Sequence, residues 1–133
     1  MIDIDALRPQ FLSILRIVSA LTLLQYGTGK LLGFPALERV PAMFSLPWVA
    51  GTLELIGGAL LLLGLFTRPV AFVISGLMAF AYWIGHAPNS IFPILNGGNL
   101  AIVYCFVFLY LFAAGPGPWS LDAYRKSPAS AAA

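Results

Sequence analysis

Long apolar stretches, separated by short polar or proline-rich breaks, dominate the chain. A membrane-spanning helix needs about 20 mostly apolar residues, and four stretches reach or approach that length. They cover residues 10–32, 47–66, 69–85 and 97–115. Pro47 and Pro69 lie at predicted helix starts, where the missing N–H of proline removes no helical hydrogen bond. The pattern therefore predicts four transmembrane helices joined by short connections.

The composition favours a membrane protein over a water-soluble one. Of the 133 residues, 60% are hydrophobic and 9% are charged, whereas soluble domains carry about 25% charged residues. A helix satisfies its own backbone hydrogen bonds in lipid, so we predict an all-α integral membrane four-helix bundle. Residues 1–133 are predicted to form one domain. The alternative, a soluble bundle of buried helices, conflicts with the apolar excess.

The two ends of the chain carry different signals. Asp3 and Asp5 oppose the basic start of a cleaved signal peptide, so the first apolar stretch is predicted to remain as a helix. A Gly/Pro-rich segment follows the last stretch, and the chain then ends in small residues. This composition predicts that the tail, residues 120–133, is disordered.

Basic residues predict the orientation of the bundle, because short connections rich in Lys and Arg face the cytoplasm. One side carries Arg8, Arg68, Arg125 and Lys126, whereas the other has Arg39 and the boundary residue Lys30. We therefore expect a multi-pass protein of the cell membrane, a prokaryotic inner membrane, with both termini in the cytoplasm.

The residue counts exclude several classes of chemistry. One histidine, one cysteine and three methionines cannot supply a cluster of metal ligands. A single cysteine, Cys105, allows no intrachain disulfide. We find no flavin, haem or dinucleotide motif, so no intrinsic cofactor is expected, although a bound quinone is compatible with the sequence. The net charge of +2 is too small and too scattered for nucleic-acid binding.

Polar residues inside the apolar stretches are the candidate functional residues, because intramembrane ionisable groups are costly. A helical rise of about 1.5 Å per residue places several of them at a similar depth, in the outer half of four antiparallel helices. This predicted cluster comprises Gln25, Tyr26, Lys30, Glu54, His86, Asn96 and Asn99.

Arg16 lies about 9 Å inside the opposite face. It is expected to snorkel to the headgroups or to pair with Glu54.

Three interpretations of the predicted cluster stay open. In the first, Glu54 pairs with Lys30, accepts a hydrogen bond from Gln25, and simply holds the helices together. In the second, the cluster lines a pocket for a small molecule such as a quinone. In the third, it forms a path for protons. His86 fits either a structural cap or a ligand contact.

Segments along nearly the whole chain resemble the DoxX family of small membrane proteins. They are Arg16, GTGKLLGF at 27–34, ELIGGALLLLGLFTRP at 54–69, HAPNSIFPILNGGN at 86–99 and YCFVFLYLFAAGPGPWSLD at 104–122. The resemblance implies a four-helix membrane bundle associated with membrane redox systems, quinones or oxidative stress. Tyr26 stands where members of the family often have histidine, and Asn99 where they often have an acidic residue.

The function expected is that of an accessory subunit of a quinone- or sulfur-linked membrane redox system. Glu54 would accept a proton or a hydrogen bond, Lys30 would keep it ionised, and His86 would donate to a quinone carbonyl. The expected partners are membrane lipids, a protein of a redox complex and a second copy of the chain. The alternatives are a non-catalytic scaffold, a lipid- or small-molecule-binding protein, and a small proton-coupled transporter. Catalysis by the chain itself stays open.

Overall fold

The computed structural model describes residues 1–127, and within that range all regular structure is helical. The helices are α1 (Arg8–Leu32), α2 (Leu46–Leu63), α3 (Thr67–Ala81), α4 (Pro93–Asn96), α5 (Asn99–Ala114) and α6 (Leu121–Lys126). A π-helical turn, Tyr82–His86, extends α3, and 3-10 turns lie at Asp5–Leu7 and Ala87–Asn89. The four predicted stretches correspond to α1, α2, α3 with its π-helical turn, and α5. The predicted all-helical fold is confirmed.

Within the described residues, three helical segments are long and apolar enough to cross a membrane: Asp5–Leu32, Leu46–Leu63 and Thr67–Asn89. The fourth, α5, is apolar but has 16 residues, which corresponds to roughly 24 Å against an apolar membrane core of about 30 Å. Large side chains such as Ile56, Phe72 and Phe106 are exposed on the outside of the bundle. Such a surface is suited to lipid rather than water, and the protein is a membrane helical bundle.

Local sequence sets where α1 and α2 end. Gly33 and Gly64 follow these helices with φ angles of 70° and 67°. A residue in this left-handed conformation ends a helix, and glycine adopts it at no steric cost. Only a short turn separates α2 from α3, so the chain reverses at once. We name the two ends of the bundle after a cation of α1. The Lys30 end is where α1 finishes, and the Arg16 end is where α1 begins.

A buried stripe on α1 packs against a buried stripe on α2. The stripe positions recur at intervals of three or four residues, so that each set shares one helix face. They are Ser13, Arg16, Ala20, Leu23 and Gly27 on α1, and Gly51, Glu54, Gly58 and Leu61 on α2. A Cβ atom added to Gly27 would lie 2.5 Å from the backbone nitrogen of Leu55. The two helices therefore approach closely because small residues lie between them.

The apolar core lies between this helix pair and the pair formed by α3 and α5. Its buried members include Leu23, Leu61, Ile74 and Phe108. The Ser75 hydroxyl donates a hydrogen bond to the carbonyl oxygen of Cys105 at 2.7 Å and links α3 to α5. Such interhelical bonds satisfy polar groups that lipid cannot.

The C-terminal segment, residues 115–127, folds back over the Arg16 end of the bundle. The Trp119 N–H donates to the Ser13 hydroxyl at 3.1 Å. The Ser120 side chain accepts a hydrogen bond from Ala123 N–H at 3.1 Å and caps α6. The prediction of disorder is therefore wrong for residues 120–127, whereas residues 128–133 lie outside the described part of the chain.

Asp122 joins this segment to the start of α3. Its carboxylate accepts hydrogen bonds from the backbone N–H groups of Phe66 and Thr67 at 3.0 and 2.9 Å. Partial burial raises the pKa of Asp122, but these N–H donors and the charge of Arg125 outweigh it and hold the pKa below its ordinary value. A carboxylate from α6 thus supplies the cap that α3 lacks from its own sequence.

Arg16 is held inside the protein rather than at its surface. Its relative exposure is 0%, and its Nη2 donates to the carbonyl oxygen of Trp119 at 2.5 Å. Both expectations for Arg16 are wrong, because the side chain neither snorkels to headgroups nor pairs with Glu54. The C-terminal segment covers the guanidinium of Arg16 instead. Its Nε and Nη1 atoms have no hydrogen-bond partner among residues 1–127.

The close approach of α1 and α2 predicts that Gly27→Ala destabilises the bundle by about 1–3 kcal/mol, because the new methyl group overlaps the backbone of Leu55. Gly76→Ala in α3 is the matched control, since no described atom lies within 4 Å of a Cβ there. Alanine is the better helix former, so this variant should melt at the same temperature as the wild type or higher. Thermal unfolding in detergent measures both. Equal melting of the two variants would contradict the proposed close approach.

The depressed pKa of Asp122 predicts a pH-dependent contribution to stability. Because the folded-state pKa lies below the unfolded value of about 3.9, the contribution is complete above that value and is lost as the pH falls through the folded pKa. Asp122→Asn should therefore melt at a lower temperature than the wild type at pH 7. This difference in melting temperature should disappear below about pH 4. A gap that is independent of pH would show that the charge of Asp122 is not what holds α6.

Candidate functional site

A buried ion pair lies between α1 and α2 near the Lys30 end. Lys30 Nζ donates to both carboxylate oxygens of Glu54, at 2.8 and 3.0 Å. The relative side-chain exposures are 19% for Lys30 and 7% for Glu54. Gly51, one turn before Glu54, leaves room for the aliphatic part of Lys30, since a Cβ there would lie 2.8 Å from the Lys30 Cβ. The local sequence of α2 thus both supplies the carboxylate and admits its partner.

His86 approaches the same region from α3. The π-helical turn that contains it adds a residue to the helical repeat, and such turns often occur at functional sites. Its Nδ1 atom lies 2.9 Å from the backbone carbonyl oxygen of Asn96. The Asn96 side chain is itself fixed, because its amide donates to Ser90 O at 2.9 Å and its oxygen accepts from Gly98 N at 2.8 Å. Asn96 therefore shapes the connection that orients the imidazole.

A cavity of about 200 Å³ lies beside the ion pair and is lined by residues of α1, α2, α5 and of α3 with its π-helical turn. Its polar lining is formed by Tyr26, Lys30, Glu54, His86 and Tyr104. Leu23, Met78 and Ala101 are among its apolar walls. This arrangement concentrates a carboxylate, an ammonium, an imidazole and two phenols around one small space within a membrane bundle.

A second depression, the apolar groove, adjoins the cavity between the start of α2 and the end of α3. Its volume is about 400 Å³, and its apolar lining includes Val49, Ala50, Leu77 and Phe80. The cavity and the groove share the lining residues Lys30, Ala81 and His86. A polar compartment and an apolar compartment thus meet at one junction.

The structure brings together four of the seven predicted cluster residues, namely Tyr26, Lys30, Glu54 and His86. Asn96 is buried one hydrogen bond away from the cavity, behind His86. The expected convergence does not extend to Gln25 or Asn99. Both are exposed, and neither lines the cavity.

The direction of each side chain around its helix axis explains why Gln25 and Asn99 lie outside the cavity. It also explains why Tyr104, which was not predicted, lies inside it. Gln25 lies two residues from Leu23 and from Gly27, on the opposite side of α1 from its buried stripe. Asn99 likewise lies off the buried face of α5, which contains Ala101, Tyr104, Phe108 and Leu111. Tyr104, which the sequence argument missed, could have been found from that spacing, since it is the polar residue on an otherwise apolar stripe.

The site is suited to hydrogen bonding with a small uncharged molecule. Glu54 and Lys30 already neutralise each other, so an incoming ligand meets no net charge from the pair. Tyrosine hydroxyls can donate or accept, and a buried polar site discriminates strongly between ligands with and without matching groups. Within residues 1–127, no cluster of three or more His, Cys, Asp or Glu side chains is placed to hold a metal ion.

Comparison with known proteins places the chain in a family. The sequence matches the DoxX family model over residues 11–87, which is more than half of the chain and includes Lys30, Glu54 and His86. This chain belongs to the DoxX family. The resemblance noted from the sequence is thereby confirmed.

Two relatives of this DoxX protein match over nearly their whole length. One, from Haemophilus influenzae, is named an uncharacterized protein and is 43% identical over 126 residues, covering 90% of this chain and 94% of the relative. The other, inner membrane protein YphA of Escherichia coli strain K12, is 30% identical over 131 residues, with the same shares covered. No solved structure matches this chain. The name of the Escherichia coli relative agrees with a membrane protein, and neither printed name gives a reaction.

The ion pair predicts a characteristic pattern in a double-variant cycle. Lys30→Met or Glu54→Met alone should lower the free energy of unfolding by about 3–5 kcal/mol, because each leaves one buried charge without its partner. The double variant Lys30→Met/Glu54→Met should recover most of that loss, since two apolar side chains fill the space. Thermal unfolding of the four proteins in detergent measures the coupling. Additive losses would contradict a direct pair.

Proposed function

We propose that this DoxX protein is an accessory subunit of a membrane redox system that binds a lipid-soluble quinone. The ring of the quinone occupies the cavity, and its hydrocarbon tail lies in the apolar groove. The observation that carries this proposal is the junction at Lys30, Ala81 and His86, where a polar compartment and an apolar one meet. An amphipathic ligand with a polar ring and an apolar tail matches both compartments.

The dimensions and lining of the two compartments support this proposal. Small-molecule sites have volumes of about 300–1,000 Å³ and few, well-placed polar groups within apolar walls. The cavity of about 200 Å³ is too small alone, but the cavity and the groove of about 400 Å³ jointly fall within that range. Tyr26, Tyr104 and the third N–H of Lys30 offer hydrogen-bond donors to ring oxygens.

Electrons for such a system come from a partner protein. Since the sequence carries no flavin, haem or dinucleotide motif, the chain contributes a binding site and a membrane anchor rather than an electron donor. A second copy of the chain is a further proposed partner, because the apolar exterior is large and small residues lie on it. This division of roles defines an accessory subunit.

The proposed topology has four crossings, with α5 as the fourth, and both termini in the cytoplasm. The basic residues Arg8, Arg68, Arg125 and Lys126 support it by the rule for short cytoplasmic connections. The Lys30 end then faces outward, and the cavity lies in the outer half of the membrane. The name of the Escherichia coli relative supports a location in the inner membrane.

A non-catalytic scaffold is the second candidate, and one observation favours it. Lys30 and Glu54 neutralise each other through two hydrogen bonds of 2.8 and 3.0 Å, so the pair can hold α1 against α2 without any ligand. A proton-coupled transporter receives less support, because the C-terminal segment covers Arg16 and closes the opposite end of the bundle. The ligand experiment below separates these alternatives.

We predict that quinones raise the melting temperature of the wild type in a thermal-shift assay in detergent. The probes are trimethylbenzoquinone without a tail and the same ring with a decyl tail. Glu54→Gln should abolish the shift from both probes, because it alters the wall that the ring contacts. Ala50→Phe should remove only the extra shift from the tailed probe, because it fills the groove.

Ala59→Phe is the matched control for the groove variant. Ala59 lies on α2, is exposed, and does not line the groove, so this variant should respond to both probes like the wild type. If no probe raises the melting temperature and Glu54→Gln only melts at a lower temperature, the result supports a scaffold and contradicts a quinone-binding subunit. Proton-coupled uptake into vesicles that is lost in Glu54→Gln would support the transporter instead.

A further inference from the structure

The hydrogen bond between His86 and Asn96 fixes which imidazole nitrogen carries the proton. The partner of Nδ1 is a backbone carbonyl oxygen, 2.9 Å away, and a carbonyl can only accept. Nδ1 must therefore be the N–H donor of the neutral ring, and Nε2 then carries a lone pair. His86 lines the cavity, and in this tautomer its one unused ring nitrogen is a hydrogen-bond acceptor and not a donor. The expectation that it donates to a quinone carbonyl is incompatible with this tautomer.

The ion pair adds further acceptors to the same space. Lys30 directs two of its three N–H bonds to Glu54, whereas each carboxylate oxygen retains a lone pair after accepting one of them. The lining thus offers fixed acceptors from His86 and Glu54 against a single remaining N–H from Lys30. Tyr26 and Tyr104 can adapt, since a hydroxyl donates or accepts as its partner requires.

We propose that the cavity selects the reduced, hydroxyl-bearing form of its ligand, a hydroquinone or phenol, over the oxidised form that bears only carbonyls. This inference rests on the proposed function and names the oxidation state that the site prefers. A hydroquinone O–H donates to His86 Nε2, and its oxygen accepts from a tyrosine or from Lys30. A quinone carbonyl offers Nε2 no proton and leaves a desolvated acceptor unpaired, a loss worth roughly 5- to 150-fold in affinity.

The test uses two matched pairs of probes with the full chain in detergent, and isothermal titration measures each dissociation constant. Trimethylhydroquinone and trimethylbenzoquinone differ in oxidation state. The second pair, 4-methylphenol and 4-methylanisole, is not a redox couple, and its members differ in that a methyl group replaces the O–H proton. In the wild type, we expect the hydroxyl-bearing member of each pair to bind about tenfold tighter or more.

Two substitutions of His86 separate the roles of its nitrogen atoms. His86→Asn keeps an N–H near the position of Nδ1, and so keeps the bond to Asn96 O, but it removes the acceptor at the position of Nε2. His86→Gln keeps an amide at the position of Nε2 and gives up the bond to Asn96. The preference should fall to within about threefold in His86→Asn and persist in His86→Gln. Melting temperatures without probe establish that both variants fold.

The outcomes distinguish this inference from the proposed function. If trimethylbenzoquinone binds as tightly as trimethylhydroquinone, the selection is wrong and the quinone site stands. If neither binds but 4-methylphenol still exceeds 4-methylanisole in the wild type and not in His86→Asn, the proposed function falls and the acceptor role of His86 stands. Equal binding of the phenol and its methyl ether, or a preference that persists in His86→Asn, would overturn the inference.

Discussion

Charged groups inside an apolar bundle must find their partners within the protein. Two cations of α1, Arg16 and Lys30, lie inside the bundle and meet that requirement differently. Lys30 receives a full counter-charge from Glu54 at 2.8 Å. Arg16 receives a backbone carbonyl from Trp119, across 103 positions of sequence. The hydrocarbon core of a membrane offers neither hydrogen bonds nor counter-charges. These two contacts therefore fix α2 and the C-terminal segment against α1.

The same requirement connects stability to the candidate site. To pair with Glu54, Lys30 has to lie along α2, and the small residues Gly27 and Gly51 make that approach sterically feasible. The pair then forms a polar wall inside the bundle, and the neighbouring tyrosines and His86 turn this wall into the lining of a cavity. The pair of side chains that joins α1 to α2 is thus also part of the wall of the cavity.

The level of each residue along the bundle axis could be predicted from sequence, because helix length and rise per residue determine it. The prediction from level agrees with the position of Tyr26, Lys30, Glu54 and His86, which line one cavity. It failed for Gln25 and Asn99 because depth says nothing about the direction around the helix axis, which is set by packing. The π-helical turn that contains His86 and the return of the C-terminal segment were equally hidden. The contact between His86 and Asn96 O and the contact between Arg16 and Trp119 O join groups that are distant in sequence, and no local pattern reveals them.

The contact between Arg16 and Trp119 also has a consequence for the order of synthesis. Proteins are made from the N-terminus, so α1 enters the membrane long before Trp119 and Asp122 leave the ribosome. Throughout that interval the guanidinium of Arg16 lacks the carbonyl that it binds in the finished fold, and the start of α3 lacks its carboxylate cap. Completion of the bundle therefore waits for the last part of the chain. A polypeptide cut short after α5 would contain all the long apolar helices and still lack the carbonyl group that binds Arg16.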